Sequence, residues 1–94
     1  MVDLVYDPAK NAINIKERKL PFDRARDLDW HTAHIRLDDR NDYGEQRWIA
    51  LAFLDGRLHV LVFTETATGI RVISFRKANT REVRGYGQAQ AADR

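Results

Sequence analysis

The residues best suited to chemistry in this chain are cations gathered toward its C-terminal end. Arg71, Arg76, Lys77, Arg81 and Arg84 are opposed in that stretch by one carboxylate, Glu82. Arginines are permanently charged, planar donors that match the oxygens of a phosphate, so the cluster suits a polyanion such as a phosphodiester backbone. A second pair, Glu45 and Arg47, precedes an apolar run. Two residues apart, they share a face if the strand extends that far, setting a proton acceptor beside a guanidinium.

Each of these residues has a structural reading beside the chemical one. Asn79-Thr80-Arg81-Glu82 has the spacing of a helix capping box, which gives Glu82 a structural role. Glu45 and Arg47 also read as a same-face ion pair, worth about 0.2–1 kcal/mol when exposed. Regular strand alternation puts Arg71 on the face of Ile73 and Phe75, and Arg76 on the face of Ile70, Val72 and Ser74. Only a bulge or a strand end would let both point into one site, so Arg76 is favoured for the site and Arg71 for a rim role. His31 and His34 lack a third ligand in a convincing pattern and read as a solvated loop. His59 is expected at the sheet surface, and Trp30 and Trp48 as packing anchors. No Gly-rich phosphate loop or nucleophile elbow is present.

The elements that must position these groups follow from pattern. Leu4-Val5-Tyr6 reads as a short opening strand. Asp7-Pro8 starts a helix to about Arg18, with Asp as N-cap, Pro at the first position and Ala9, Ala12, Ile13 and Lys16 on one face. Pro21-Phe22 opens a second short helix that buries Phe22, Ala25 and Leu28. Residues 31–46 are a polar connection with an edge strand around His34–Leu37. Trp48–Leu54 and Leu58–Thr64 are strands joined by Asp55-Gly56, a two-residue hairpin signal. Ile70–Phe75 completes an antiparallel meander, and a last helix starts at about Thr80 and weakens around Tyr86 and its flanking glycines. Both faces of Leu58–Thr64 are apolar, so each needs a cover, and the N-terminal helices supply one. The fold class is therefore α+β, with N-terminal helices packed on a small antiparallel sheet and a C-terminal helix. Residues 1–88 form one domain and 89–94 a frayed tail.

At 94 residues, 44% hydrophobic and 32% charged, the chain is a globular domain with a small core. It has no cysteine, which excludes disulfides and thiolate metal sites. No apolar run reaches bilayer length and no secretory leader opens it, so the expected location is the cytoplasm. The net charge of +2 is unremarkable. Its distribution is not: carboxylates dominate residues 23–45, and cations dominate from Arg47 onward.

In order along the chain, Tyr6-Asp7-Pro8-Ala9-Lys10, Asn14-Ile15-Lys16, Phe22-x-x-Ala25, Gly44-Glu45-Gln46-Arg47, Arg71-Val72-Ile73-Ser74-Phe75-Arg76-Lys77-Ala78 and Arg81-Glu82 with Tyr86 form a family-like series. The series resembles the BrnT family, ribonuclease toxins of bacterial type II toxin–antitoxin systems with a RelE-like fold. The resemblance implies metal-independent RNA cleavage that inhibits translation, without a cofactor. It also implies neutralisation by a cognate antitoxin (BrnA-like, ribbon-helix-helix), through which alone operator DNA is bound. In that setting Arg47 and Arg76 would hold the scissile phosphate, with Glu45 as base. Tyr86 would stack on a base or donate a proton, and Lys16, Arg18, Lys77 and Arg81 would hold flanking phosphates. The family pattern has His-Gly where this chain has Arg18-Lys19. If that histidine moves a proton, the chain is instead a weakened or inactive RNA- and antitoxin-binding module of the same fold. A third reading is a structural or adaptor domain whose basic end is only solvated.

Overall fold

The computed structural model describes residues 3–92, with side chains through Gln90. A five-stranded sheet has the order β1-β5-β4-β3-β2, built from β1 (Asp3–Tyr6), β2 (His34–Asp38), β3 (Arg47–Leu54), β4 (Arg57–Glu65) and β5 (Gly69–Lys77). Helix α1 (Pro8–Arg18) follows β1, two 3-10 segments (Phe22–Asp27 and Trp30–Thr32) precede β2, and α2 (Thr80–Ala92) follows β5. The meander β2 to β5 is antiparallel, but β1 lies parallel to β5, so the sheet is mixed rather than wholly antiparallel. That pairing sets Leu4 beside Ile70 and Tyr6 beside Val72, where Leu4, Tyr6 and Ile70 pack against the core. The strands approach closely at Gly69, where a Cβ would collide with the Asp3 backbone.

Local chemistry explains the element ends. Asp7 caps α1 by accepting from the Ala9 amide at 2.9 Å, with Pro8 next. Asp55 and Gly56 take φ of 51° and 78°, as a right-twisted two-residue hairpin requires. The capping box at α2 closes both ways: Asn79 Oδ1 accepts from the Glu82 amide at 2.8 Å, and Glu82 Oε1 accepts from the Asn79 amide at 2.9 Å. The helix then runs past Gly85 and Gly87 to Ala92. Docking explains this continuation, because Gln90 donates to the Thr32 carbonyl and to the Tyr86 hydroxyl.

Two apolar layers sandwich the sheet. On what we call the core face, Ala50, Ala52, Leu61, Phe63, Val72 and Phe75 meet Leu20, Phe22, Ala25 and Leu28. The cover is thus the 20–28 segment. Helix α1 departs from its expected amphipathic docking: Ile13 and Ile15 are exposed, and its buried residue is the polar Asn14. Asn14 Nδ2 donates to the Leu20 and Phe75 carbonyls at 2.8 and 3.0 Å, and its Oδ1 accepts from Arg18 at 2.7 Å. The Phe75 carbonyl lies beyond the end of β1 and would otherwise be an orphaned acceptor. Asn14→Ala is therefore expected to cost about 2–4 kcal/mol, because two buried carbonyls lose their donor. Urea unfolding checks this, and a change below about 0.5 kcal/mol, within the range of ordinary surface substitutions, contradicts it. On the opposite face, which carries the cleft described below, Ile49, Leu58, Val60 and Ala78 form a smaller layer with Leu51, Val62 and Tyr86.

Candidate functional site

The pairing of β4 with β5 steps from Val62–Ser74 to Phe63–Val72, leaving Ile73 with no opposite residue. This bulge reverses the alternation of β5 partway along it. Arg76 lies opposite Val60 and Arg71 opposite Thr64, and these two β4 residues share a face. Arg71 and Arg76 therefore point to the same side. The separation expected from unbroken alternation is corrected by one inserted residue. The register also puts Arg36 opposite Ile49 and Arg47 opposite Asp38, on that same side.

These side chains converge on a cleft of about 280 Å³. Its floor is Ile49, Val60, Val62 and Ile73, and its walls carry Arg36, Arg40, Arg47 and Arg76 against Asp38 and Glu82, with Tyr43 and Ser74 between. Arg76 forms a two-pronged pair with Glu82, Nη1 to Oε1 at 2.8 Å and Nη2 to Oε2 at 2.9 Å. The hydrogen bond from Arg76 lowers the Glu82 pKa, and the same bond raises that of Arg76. Glu82 is thus both the helix cap and a wall of the cleft; the two readings of it are compatible. Arg40 grips Asp38 in the same manner, with Nε and Nη2 each 2.8 Å from a carboxylate oxygen. That contact holds the Asp38 carboxyl down at about 2, so it remains a carboxylate at any physiological pH. The Arg47 guanidinium stacks 4.1 Å from the Tyr43 ring centroid, and the Tyr43 hydroxyl donates to Asp38 at 3.3 Å. The Arg36 side chain makes no hydrogen bond or ion pair among the described residues, but its charge adds to that of Arg76 in lowering the Glu82 pKa.

At the rim, Glu45 joins two of the cations. Arg71 Nη2 reaches both its oxygens at 2.8 Å, and Arg47 Nε reaches one at 3.3 Å. Of the residues singled out from sequence, Arg47 and Arg76 line the cleft together, while Glu45 touches it only through Arg47 and lines a neighbouring hollow with Arg71. Tyr86 joins neither. Its ring packs edge-on to Phe53 and His34, and its hydroxyl donates to the Thr32 carbonyl at 2.8 Å, so it anchors α2 outside the cleft. Arg81 lines a neighbouring hollow beside Tyr86. Lys16 is exposed on α1, while Arg18 and Lys77 border a groove that includes core-face His59. His59 is buried, not at the sheet surface; its Nδ1 lies 2.8 Å from the Arg57 carbonyl, and burial lowers its pKa.

Sequence reading missed Arg36, Asp38, Arg40 and Tyr43, all within the stretch taken as a polar connection. A signal existed for Arg36, which alternates with His34 and Asp38 on the edge strand. Asp38 and Arg40 gave none, because their pairing depends on a turn rather than on a period.

Fold and cleft together define the class: a small α+β protein presenting an arginine-lined, carboxylate-buttressed cleft on one face of its sheet. A family profile gives the class its name. The profile of the ribonuclease toxin BrnT, of type II toxin–antitoxin systems, matches residues 6–82, and the chain belongs to that family. No curated protein matches the chain significantly. Among the described residues, no helix is long and apolar enough to cross a membrane.

Proposed function

We propose that the cleft binds a phosphodiester of RNA and cleaves it without a metal, so that the chain inhibits translation as an endoribonuclease. One observation carries this reading. Glu82 occupies the Arg76 fork as a phosphate would, with two oxygens on two nitrogens, in a cleft where arginines outnumber carboxylates. Phosphate arriving there exchanges one anion for another, so the Arg76 fork stays paired.

In the step proposed, the 2′-oxygen attacks phosphorus while Glu45 takes its proton. The bond to the 5′-oxygen breaks, and that oxygen takes a proton from the Tyr43 hydroxyl. The products are a 2′,3′-cyclic phosphate and a 5′-hydroxyl. Arg47 and Arg76 neutralise the charge that builds on the non-bridging oxygens. Tyr43 takes the proton-donor role considered for Tyr86, because Tyr43 lines the cleft and Tyr86 lines the hollow shared with Arg81. Arg18-Lys19 lies at the end of α1, in the groove rather than the cleft, so the departure from the His-Gly pattern leaves the groups named here in place.

The type II family implies a neutralising antitoxin. We take it to be a BrnA-like, ribbon-helix-helix protein that brings operator DNA to the complex. The outer edge of β2, with Ile35 and Leu37 exposed, and the exposed Ile13 and Ile15 of α1 offer it apolar docking sites. Incubating the purified protein with RNA in a chelator tests the catalytic reading. Cyclic-phosphate and 5′-hydroxyl ends are expected; RNA that is bound but intact selects the inactive binding module. Cleavage that needs an added divalent ion overturns the mechanism.

A further inference from the structure

A groove of about 340 Å³ lies at the sheet end where β3 turns into β4, and it is separate from the cleft. Arg18 and Lys19 at the end of α1, Arg57 at the start of β4 and Lys77 at the end of β5 border it. Its carboxylate, Asp55, is already engaged by Arg24 at 3.0 Å. The side chains of Lys19, Arg57 and Lys77 make no ion pair among the described residues. Cations from three elements therefore converge around an opening whose one lining carboxylate, Asp55, is paired with Arg24.

Lys19 makes the arrangement more than scattered surface charge. It takes φ of 56° as the C-cap of α1, a left-handed conformation that glycine adopts without strain and lysine does not. A charged side chain held against its backbone preference points to a use for the charge. The groove and the cleft draw on neighbouring residues of one strand, on opposite faces of the sheet. Arg76 and Lys77 are consecutive on β5, so the strand end presents one cation to the cleft face and the next to the groove.

We propose that this groove is a second phosphate-binding subsite, holding the backbone of the same RNA strand beyond the bond placed in the cleft. The proposal rests on the cleft being an RNA site. A protein partner fits the groove less well, because its apolar lining residues, Leu20 and Leu54, are buried and offer no anchor.

The test uses 2′-O-methyl RNA, which lacks the attacking hydroxyl, in strands of about 5 and about 15 nucleotides. Binding is followed by fluorescence anisotropy for the parent protein and for Lys19→Gly/Arg57→Gln. Glycine suits the left-handed position, so the melting temperature of the double variant is not expected to fall. At about 50 mM salt the 15-mer is expected to bind about tenfold more weakly to the variant, and the slope of log Kd against log salt to flatten by about 1.4, at about 0.7 for each lost phosphate contact. The 5-mer is expected to bind both proteins alike. An unchanged 15-mer affinity overturns the subsite, as does an equal loss for both lengths. A loss confined to binding of a polyglutamate peptide overturns it in favour of an acidic protein partner. If the parent binds neither strand, the cleft reading falls with it; if the parent binds both and the variant matches it, only the groove is lost.

Discussion

Arg76→Ala is expected to lower the rate of RNA cleavage by about 10²–10³-fold, the usual cost of removing a donor aimed at developing negative charge. The fork of Arg76 is already in the geometry that a phosphate needs, because Glu82 holds it there through both nitrogens. Alanine removes the cation and leaves Glu82 in the cleft without its two-pronged partner, so binding and turnover should both suffer. Folding should suffer little. The Arg76 side chain is 36% exposed, and a pair at that exposure contributes less than about 1 kcal/mol after solvent screening. Arg76→Lys should fall between, since it keeps the charge and loses the fork. Initial rates on a defined RNA, read beside a melting curve, separate chemistry from stability. A folded Arg76→Ala protein that cuts at the parental rate removes Arg76 from the site.

Phe75→Ala is expected to have the largest effect on the fold. The ring is fully buried among the core-face residues, and truncating a buried phenylalanine costs about 3–5 kcal/mol. For a domain of this size that amounts to at least about 12 °C in Tm. Deleting Ile73 should cost far less. Val72, Ser74, Phe75 and Arg76 would then follow one another opposite Phe63, Val62, Leu61 and Val60, so Val72 and Phe75 still face the core and Arg71 and Arg76 still share the cleft side. The deletion removes only the bulge and one apolar side chain of the cleft floor. Melting curves of the two variants check this, and a deletion protein that loses as much as Phe75→Ala would show that the bulge itself holds the register.

The bulge also marks the limit of what could be read from sequence. Helix α1, the Asp55-Gly56 hairpin, the short helix at Phe22 and the capping box at Asn79 were legible because each is set by residues close in the chain. The sides of Arg71 and Arg76 were not, since nothing in Arg71-Val72-Ile73-Ser74-Phe75-Arg76 marks Ile73 as the extra residue. Its placement is decided by the core, which needs Val72 and Phe75 on one face three residues apart. The docking of α1 was misread for a related reason. Its apolar residues suggested an ordinary buried stripe, whereas Asn14 does the anchoring through carbonyls distant in sequence. Arg47 and Arg76 could be placed at strand ends from sequence because they flank apolar strands. Asp38, Arg40 and Tyr43 escaped because the turn after β2 gathers them without periodicity.

The double duty of Glu82 has a consequence for communication across the molecule. The same oxygen, Oε1, accepts from the Asn79 amide at the start of α2 and from Arg76 in the cleft. An anion that captures Arg76 therefore changes the partners of the residue that starts the helix. The helix is tied at its other end to the Thr32 carbonyl, just ahead of the edge strand. Linkage is reciprocal: whatever shifts the helix start by occupying the cleft is shifted in its own affinity, by an equal free energy, when something else grips the helix. A partner seated on α2 or on β2 would thus act on the cleft without covering it, through one carboxylate shared between a helix cap and a guanidinium.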